Sequence, residues 1–202
     1  GIDEQNKEID AIVNNSEEPT FENTILALDN SGQTLNKVAY VFYALTESLS
    51  SPELQQVDEE FTPLLTKHSD EISMNDKLFE RIKKVYDNRA NNNYTTAQLL
   101  LIEDKYKSFT RNGALLDADK KEELKKLNTE LANLYLQFNK NLLNATNAFE
   151  LVVEDSIKLG GLPASSIAVA AEEAKNRGKE GKWVFTLHAP SRLPLLQYAQ
   201  NR

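Results

Sequence analysis

Long runs of apolar residues at helical spacing are the feature that most constrains the fold of this chain. In the longest run, between about residues 117 and 148, an apolar residue recurs every three or four positions. Its members are Leu124, Leu127, Leu131, Leu134, Phe138, Leu142 and Ala145. A period near 3.6 places them on one face of an α-helix, whereas a strand alternates with a period of two. The spacing therefore predicts one long amphipathic helix that buries this face.

Similar runs predict more helices before the longest one. Apolar residues keep the period over about 21–49, which predicts a single long helix capped by Thr20, with Gly32 as its weak point. The next helix has Pro52 in its first turn, and we expect Pro63 to kink it because proline removes a backbone hydrogen bond. Its inward stripe is predicted to be Leu54, Val57, Phe61, Leu64, His68 and Ile72.

The residue pattern changes after the longest helix. Residues 149–153 and 183–187 are rich in β-branched and aromatic side chains, which is typical of strands, and they could pair with each other. We predict a mainly α fold: an elongated multi-helix bundle with long antiparallel helices and a small two-stranded β element near the C-terminus. We expect one domain over 1–202, made of a helical bundle at 1–148 and a strand-helix-strand appendage at 149–202.

Composition excludes several classes of partner. The formal net charge of -8 opposes phosphate backbones and anionic lipid, so we expect no nucleic acid and no membrane as partners. No apolar run approaches the roughly 18 to 20 residues that a membrane helix needs, and the start of the chain lacks a signal pattern. Because the chain has no cysteine, disulfides, iron–sulfur clusters and thiol catalysis are excluded for it.

The two histidines are the first candidates for a metal site. A catalytic zinc site needs about three protein ligands, and neither His68 nor His188 lies in a His-Glu-x-x-His run. His68 and Glu71 lie three positions apart on one helix face and could contribute to a carboxylate metal site, but no second such motif exists. We therefore interpret His68 as a packed or interface residue and His188 as a loop residue.

Other patterns have structural interpretations as well. The serines lack the Gly-x-Ser-x-Gly elbow of a nucleophile. The segment Gly178–Lys182 lacks the spacing of a phosphate-binding loop, and Trp183 is predicted to anchor the strand pair. An acidic group on the longest helix alternates with lysines, as solvated faces do: Asp119, Glu122, Glu123 and Glu130. We predict no catalytic, cofactor-binding or metal-binding residue on this chain.

Five stretches of the chain carry a family resemblance. They are PTFENTILALDNSGQTLNKVAYVFYAL at 19–45, HSDEISMNDKLFERIKKVY at 68–86, KKEELKKLNTELANLYLQFNKNLLNATNAFELVV at 120–153, LGGLP at 159–163 and GKWVFTLHAPSRLPLLQYAQNR at 181–202. In this order they resemble the N-terminal region of bacterial peptidyl-dipeptidase and oligopeptidase A, relatives of thimet oligopeptidase. ILALDNSGQTL favours the peptidyl-dipeptidase branch.

The resemblance implies a parent protein that is a nearly all-helical, clam-shaped zinc metallopeptidase, cleaving short peptides in a deep channel. In this family the His-Glu-x-x-His pair and a downstream glutamate that bind zinc lie C-terminal to everything present here. We therefore expect no enzyme activity from this chain alone and zinc only in the parent. The expected partners are the C-terminal catalytic half of the same polypeptide and short peptide substrates.

The resemblance also implies that both ends of the chain are internal, so that the chain is a fragment and Gly1 is either native or the scar of a tag. A cytoplasmic location is expected, with a periplasmic or exported one left open. We further expect an exposed apolar patch where the catalytic half would pack. The alternatives are a stand-alone helical interaction module and a metal-dependent helical enzyme using His68 and Glu71.

Overall fold

The computed structural model describes residues 1–49 and 51–201. They form two compact units, Gly1–Leu134 and Tyr135–Arg202, and the helix Ala118–Ala148 contributes residues to both. The α-helices are α1 Ile2–Val13, α2 Ala27–Asp29, α3 Gln33–Ser48, α4 Pro52–Ser73, α5 Asp76–Asp87, α6 Thr96–Arg111, α7 Ala118–Ala148, α8 Ala164–Asn176 and α9 Ala189–Tyr198. The strands are β1 Leu151–Val153 and β2 Trp183–Phe185. The predicted mainly α class with a small sheet near the C-terminus is confirmed.

The core of the first unit lies between α1, α5, α6 and the segment that precedes α3. At its centre Ile25, Leu78, Ile82 and Ile102 are completely buried. Fully burying a side chain of this size contributes about 1.5–3 kcal/mol. Short polar caps begin the helices that supply the core: the Asn75 side chain accepts from the backbone N–H of Leu78 at 3.0 Å and starts α5.

The single helix predicted over 21–49 is wrong. Thr20 does cap a helical segment, but that segment is a π-helical turn, Phe21–Leu26, followed by the short α2. The chain then turns, and α3 begins only after Gly32, whose φ of +72° is left-handed. Because a helix cannot pass through a left-handed residue, the weak point predicted at Gly32 is a complete break.

The helices α3 and α4, which we call the α3–α4 pair, contact each other through aromatic and hydroxyl side chains. The rings of Phe42 and Phe61 meet edge to face with 5.5 Å between their centroids, and the hydroxyl groups of Tyr43 and Thr62 lie 3.2 Å apart. The helix α4 continues without a break through Pro63.

The predicted bounds of α7 are confirmed to within one residue, but its predicted buried face is wrong. Five large apolar residues on that face are between 51% and 63% exposed: Leu127, Leu131, Leu134, Phe138 and Leu142. Periodicity shows which face of a helix is apolar, but it does not show whether the same chain supplies the residues that cover it. We call these five residues the α7 stripe.

The second unit is built around the two-stranded sheet. The two predicted strands pair with each other, and the structure shows that they are antiparallel, with Val152 opposite Val184. Against the sheet pack α8 and a small core that includes Leu159, Ala170 and Phe185. Trp183 is half-buried on this core, so its predicted role as an anchor of the strand pair is confirmed.

Candidate functional site

His68 is a buried side chain on α4, only 5% exposed. Its Nε2 lies 2.8 Å from Oε1 of Gln5 on α1, and the Gln5 amide nitrogen donates to the Ser31 hydroxyl at 3.3 Å. Because an amide oxygen only accepts hydrogen bonds, His68 is the donor in the first contact. Burial lowers the pKa of His68, and the negative charge of Glu71 opposes this shift as the smaller effect. The arrangement joins α1 to α4, as expected of a packed histidine.

The other metal-site candidates do not complete a binding site. Glu71 is exposed, with one carboxylate oxygen 3.9 Å from the ammonium group of Lys67. His188 is exposed at the N-terminal end of α9, in the other unit, and its side chain makes no capping hydrogen bond. In the described part of the chain, no group of three or more His, Asp or Glu residues could hold a metal ion. These residues therefore do not fit a zinc site.

The acidic residues of α7 face solvent, and the lysines of the segment Gly178–Lys182 form ion pairs within the chain. Asp119, Glu122, Glu123 and Glu130 are all exposed, which confirms the predicted solvated face. In Gly178–Lys182, the Lys179 ammonium group pairs with Glu150 and that of Lys182 pairs with Glu154. Both lysines therefore bind carboxylates that flank β1.

A buried arginine was not predicted from the sequence. Arg81 on α5 is 8% exposed and its guanidinium group donates three hydrogen bonds. The acceptors are the carbonyl oxygens of Asn15 at 2.8 Å and Glu17 at 3.2 Å, and Oδ1 of Asn23 at 3.1 Å. These contacts fix the irregular segment between α1 and the π-helical turn. Nothing in the local sequence separates Arg81 from the exposed lysines nearby, because its role depends on that distant segment.

Two further buried charges attach the first part of α7 to α4 and α5. Lys121 is 7% exposed, donates to the carbonyl oxygen of Met74 at 3.2 Å and pairs with Asp76. Asp70 is also 7% exposed and accepts from the Asn128 amide at 2.8 Å. Burial raises the pKa of the Asp70 carboxyl group, and the bond from Asn128 opposes this shift. These contacts define the covered face of α7.

Two sets of exposed apolar side chains are candidates for interaction surfaces. The α7 stripe is one of these sets. The α3–α4 pair carries further large apolar side chains that are at least 43% exposed: Val38, Val41, Leu45, Val57 and Leu64. Scattered apolar residues are normal on a protein surface, but rows at helical spacing indicate an interaction surface. Val57 and Leu64 were predicted to lie on the inward stripe of α4, so that prediction is wrong for these two residues.

Known proteins that resemble the chain are peptidases, although no family model matches it. A dipeptidyl carboxypeptidase of Escherichia coli (strain K12) is 38% identical over 202 residues, which are all of this chain and 30% of that protein. An oligopeptidase A of Haemophilus influenzae is 30% identical over 183 residues, or 91% of this chain and 27% of that protein. This match fits the N-terminal region of a thimet-type peptidase.

A plant protein also matches the chain. A probable cytosolic oligopeptidase A of Arabidopsis thaliana is 30% identical over 191 residues, 92% of this chain and 27% of that protein. The chain thus spans less than a third of the length of the curated relatives that it matches. Among the described residues, no helix has both the length and the apolar character to cross a membrane.

Proposed function

We propose that this chain is the N-terminal, channel-forming part of a zinc metallopeptidase that hydrolyses short peptides, and that it limits which substrates reach the active site. The match over the whole chain to a dipeptidyl carboxypeptidase carries the proposal. Its identity of 38%, against 30% for the oligopeptidases cited above, supports the peptidyl-dipeptidase branch.

In this proposal the chain is not itself catalytic. His68 binds Gln5 inside the first unit, and His188 lies exposed in the second unit. Zinc and its ligands belong to the remainder of the parent polypeptide, which is the main partner of this chain. Short peptides are the substrates of the parent, and the cytoplasm is its location. Long helices such as α4 and α7 suit a wall that excludes folded proteins.

The test begins with the gene beyond the codon for Arg202. We expect a His-Glu-x-x-His motif there and a longer polypeptide that releases dipeptides from the C-terminus of short peptides. Replacing the glutamate of that motif with glutamine is the matched control and should abolish cleavage. The chelator-treated polypeptide should be inactive and should recover when zinc is added.

The 202-residue chain should not cleave the same peptides, and the longer polypeptide should leave a folded protein intact. A stop codon directly after Arg202, or cleavage by the 202-residue chain alone, would contradict the proposal. The stop codon would instead favour an interaction module that uses the exposed apolar residues of the α3–α4 pair.

A further inference from the structure

The segment LGGLP at 159–163 forms a tight turn in the second unit. The N–H of Leu162 donates to the carbonyl oxygen of Leu159 at 3.1 Å. Gly160 has a φ of -53° and a ψ of 133°, and Gly161 has a φ of +87°. These are the features of a type II turn, whose third residue needs a positive φ and is therefore usually glycine. The turn explains the glycine at 161, whereas most residues suit the backbone at 160.

The backbone that follows α9 lies directly against this turn. The N–H of Gln200 donates to the carbonyl oxygen of Gly160 at 3.0 Å, so a backbone hydrogen bond joins two distant parts of the chain. A Cβ on Gly161 would lie well inside van der Waals contact with the carbonyl oxygen of Tyr198. Only a residue without a side chain therefore lets the two backbone segments approach this closely.

Side chains from both segments enter the core of the second unit. Leu159 and Leu162, on either side of the two glycines, are buried there, and so is Ala199. Leu195, in the last turn of α9, packs against the same core. The contact between the turn and the segment thus combines a backbone hydrogen bond with burial of apolar groups on both sides.

The helix α9 does not by itself explain the position of the residues that follow it. Its ten residues are half-buried or exposed, and Pro194 lies inside it without an N–H group to donate. A helix this short is marginally stable in water unless tertiary contacts support it. Where α9 ends, Ala199 is buried in an extended conformation. The buried side chain at this end of the helix therefore belongs to the segment that contacts the turn.

We infer that the turn at 159–162 is a clamp, which holds residues 198–200 on the second unit and fixes the direction of the chain after α9. The missing side chain at Gly161 permits the close approach, and the carbonyl oxygen of Gly160 accepts from Gln200. The clamp itself involves described residues alone. Its consequence for a parent protein rests on the proposed function: where the polypeptide continues beyond residue 202, the clamp sets the course on which it leaves this unit.

Hydrogen exchange at the Gln200 amide, followed by nuclear magnetic resonance, tests the clamp. Gly161→Ala is the disruptive variant, because its Cβ would meet the carbonyl oxygen of Tyr198. Gly181→Ala is the matched control: Gly181 lies in the same unit with a φ of +85°, and an added Cβ has no described atom within 4 Å. Both substitutions introduce left-handed strain, so a difference between them reports the contact with the segment.

In the unsubstituted chain, the Gln200 amide should exchange at least about tenfold more slowly than an unstructured amide, and Gly181→Ala should retain most of this protection. Gly161→Ala should accelerate the exchange at least about tenfold. Gly160→Ala should have a small effect, because its φ suits alanine and the nearest atom to its Cβ, at 3.1 Å, is Oε1 on the flexible Gln200 side chain. Equal exchange in the variants at 161 and 181, or an unprotected Gln200 amide in the unsubstituted chain, overturns the inference.

Thiol labelling is the second measurement, in case Gly161→Ala prevents the second unit from folding, which Trp183 fluorescence would reveal. The chain has no cysteine, so Ala199→Cys and Gln197→Cys each provide a single thiol. Ala199 is buried beside the turn and Gln197 is exposed on α9. The thiol at 199 should therefore react at least about tenfold more slowly than the thiol at 197. Similar rates at the two positions would contradict the clamp.

Neither measurement requires peptide cleavage, so the clamp and the proposed function can fail separately. A longer polypeptide that cleaves peptides while its Gln200 amide lacks protection overturns the clamp alone. Protection of Gln200 in a protein whose gene stops directly after residue 202 supports the clamp and contradicts the proposed function.

Discussion

At the scale of single residues, Lys121 joins three helices through one ammonium group. Lys121 lies near the start of α7. Its ammonium group donates to the carbonyl oxygen of Met74, the C-cap residue of α4, and pairs with Asp76 in the first turn of α5. The Asp76 carboxylate is 78% exposed, so solvent screens the ion pair. The hydrogen bond to the buried end of α4 is therefore the contact with the larger structural effect.

Lys121→Met should lower the free energy of unfolding by about 1–3 kcal/mol, because it keeps the aliphatic stem but leaves a carbonyl group without its donor. Lys120→Met is the matched control, since Lys120 is exposed and should tolerate the change within about 0.5 kcal/mol. Urea denaturation followed by circular dichroism measures both. Equal effects at the two positions would contradict the structural role of Lys121.

The buried His68 predicts a pH dependence of stability. Burial lowers its pKa in the folded protein below the ordinary value of 6.5, so the unfolded chain binds the proton more readily. This contribution to stability is fully present above about pH 6.5 and is lost as the pH falls through the lower, folded-state pKa. Asp70 has a raised pKa and acts in the opposite direction, but it is common to every variant compared.

His68→Gln should therefore lose less stability between pH 7 and pH 5 than the unsubstituted chain, because glutamine does not titrate and its amide can still donate to Gln5. His188→Gln, at the exposed histidine, should retain the pH dependence of the unsubstituted chain. The measurement is the urea midpoint at each pH. If all three proteins show the same pH dependence, the prediction for His68 is wrong.

At the scale of elements, the break between α2 and α3 depends on Gly32. Its φ of +72° suits glycine, its N–H donates to the Glu8 carboxylate at 2.7 Å, and a Cβ here would lie 2.7 Å from Oε1 of Gln5. The same Gln5 oxygen accepts from His68. A side chain at position 32 would thus strain the turn and displace the contact between α1 and α4.

Gly32→Ala should cost more than the roughly 1–2 kcal/mol of left-handed strain alone. Gly178→Ala isolates that strain, because Gly178 has a φ of +69° and nothing within 4 Å of an added Cβ. Circular dichroism follows unfolding of the first variant, and the fluorescence of Trp183 follows the second. A cost for Gly32→Ala no greater than that for Gly178→Ala would argue against the close approach of Gln5.

At the scale of the whole molecule, each unit has a hydrophobic core made of its own residues. Ile25 is completely buried in the first core, and Phe185 is 2% exposed in the second. The single tryptophan, Trp183, packs on the second core and so reports on that unit. Two separate cores predict that a large-to-small substitution in one unit mainly affects that unit.

Ile25→Ala should destabilise the first unit by about 2–5 kcal/mol while the midpoint of Trp183 fluorescence stays nearly constant. Phe185→Ala, the reciprocal variant, should shift the fluorescence midpoint by a comparable or larger amount. Comparing circular dichroism with fluorescence during urea unfolding checks both. Identical shifts of the two signals in both variants would show a single cooperative unit instead.

Local patterns in the sequence predicted the helical class, the bounds of α7 and the two strand segments. These features depend on local preferences and on periodicity, which short segments carry by themselves. The strand pair shows this, because two β-branched runs near the end of the chain had no other extended partner. The resemblance to thimet-type peptidases likewise rested on ordered segments rather than on any contact.

Tertiary contacts determine which charged groups are buried and which apolar faces are open, and local patterns do not record those contacts. Arg81 and Lys121 look like ordinary solvated residues in the sequence, because their acceptors at Asn15 and Met74 are distant in the chain. The α7 stripe looks like core for the complementary reason: periodicity records that a face is apolar, whereas burial depends on what is packed against it. On this helix, the described residues leave that face open.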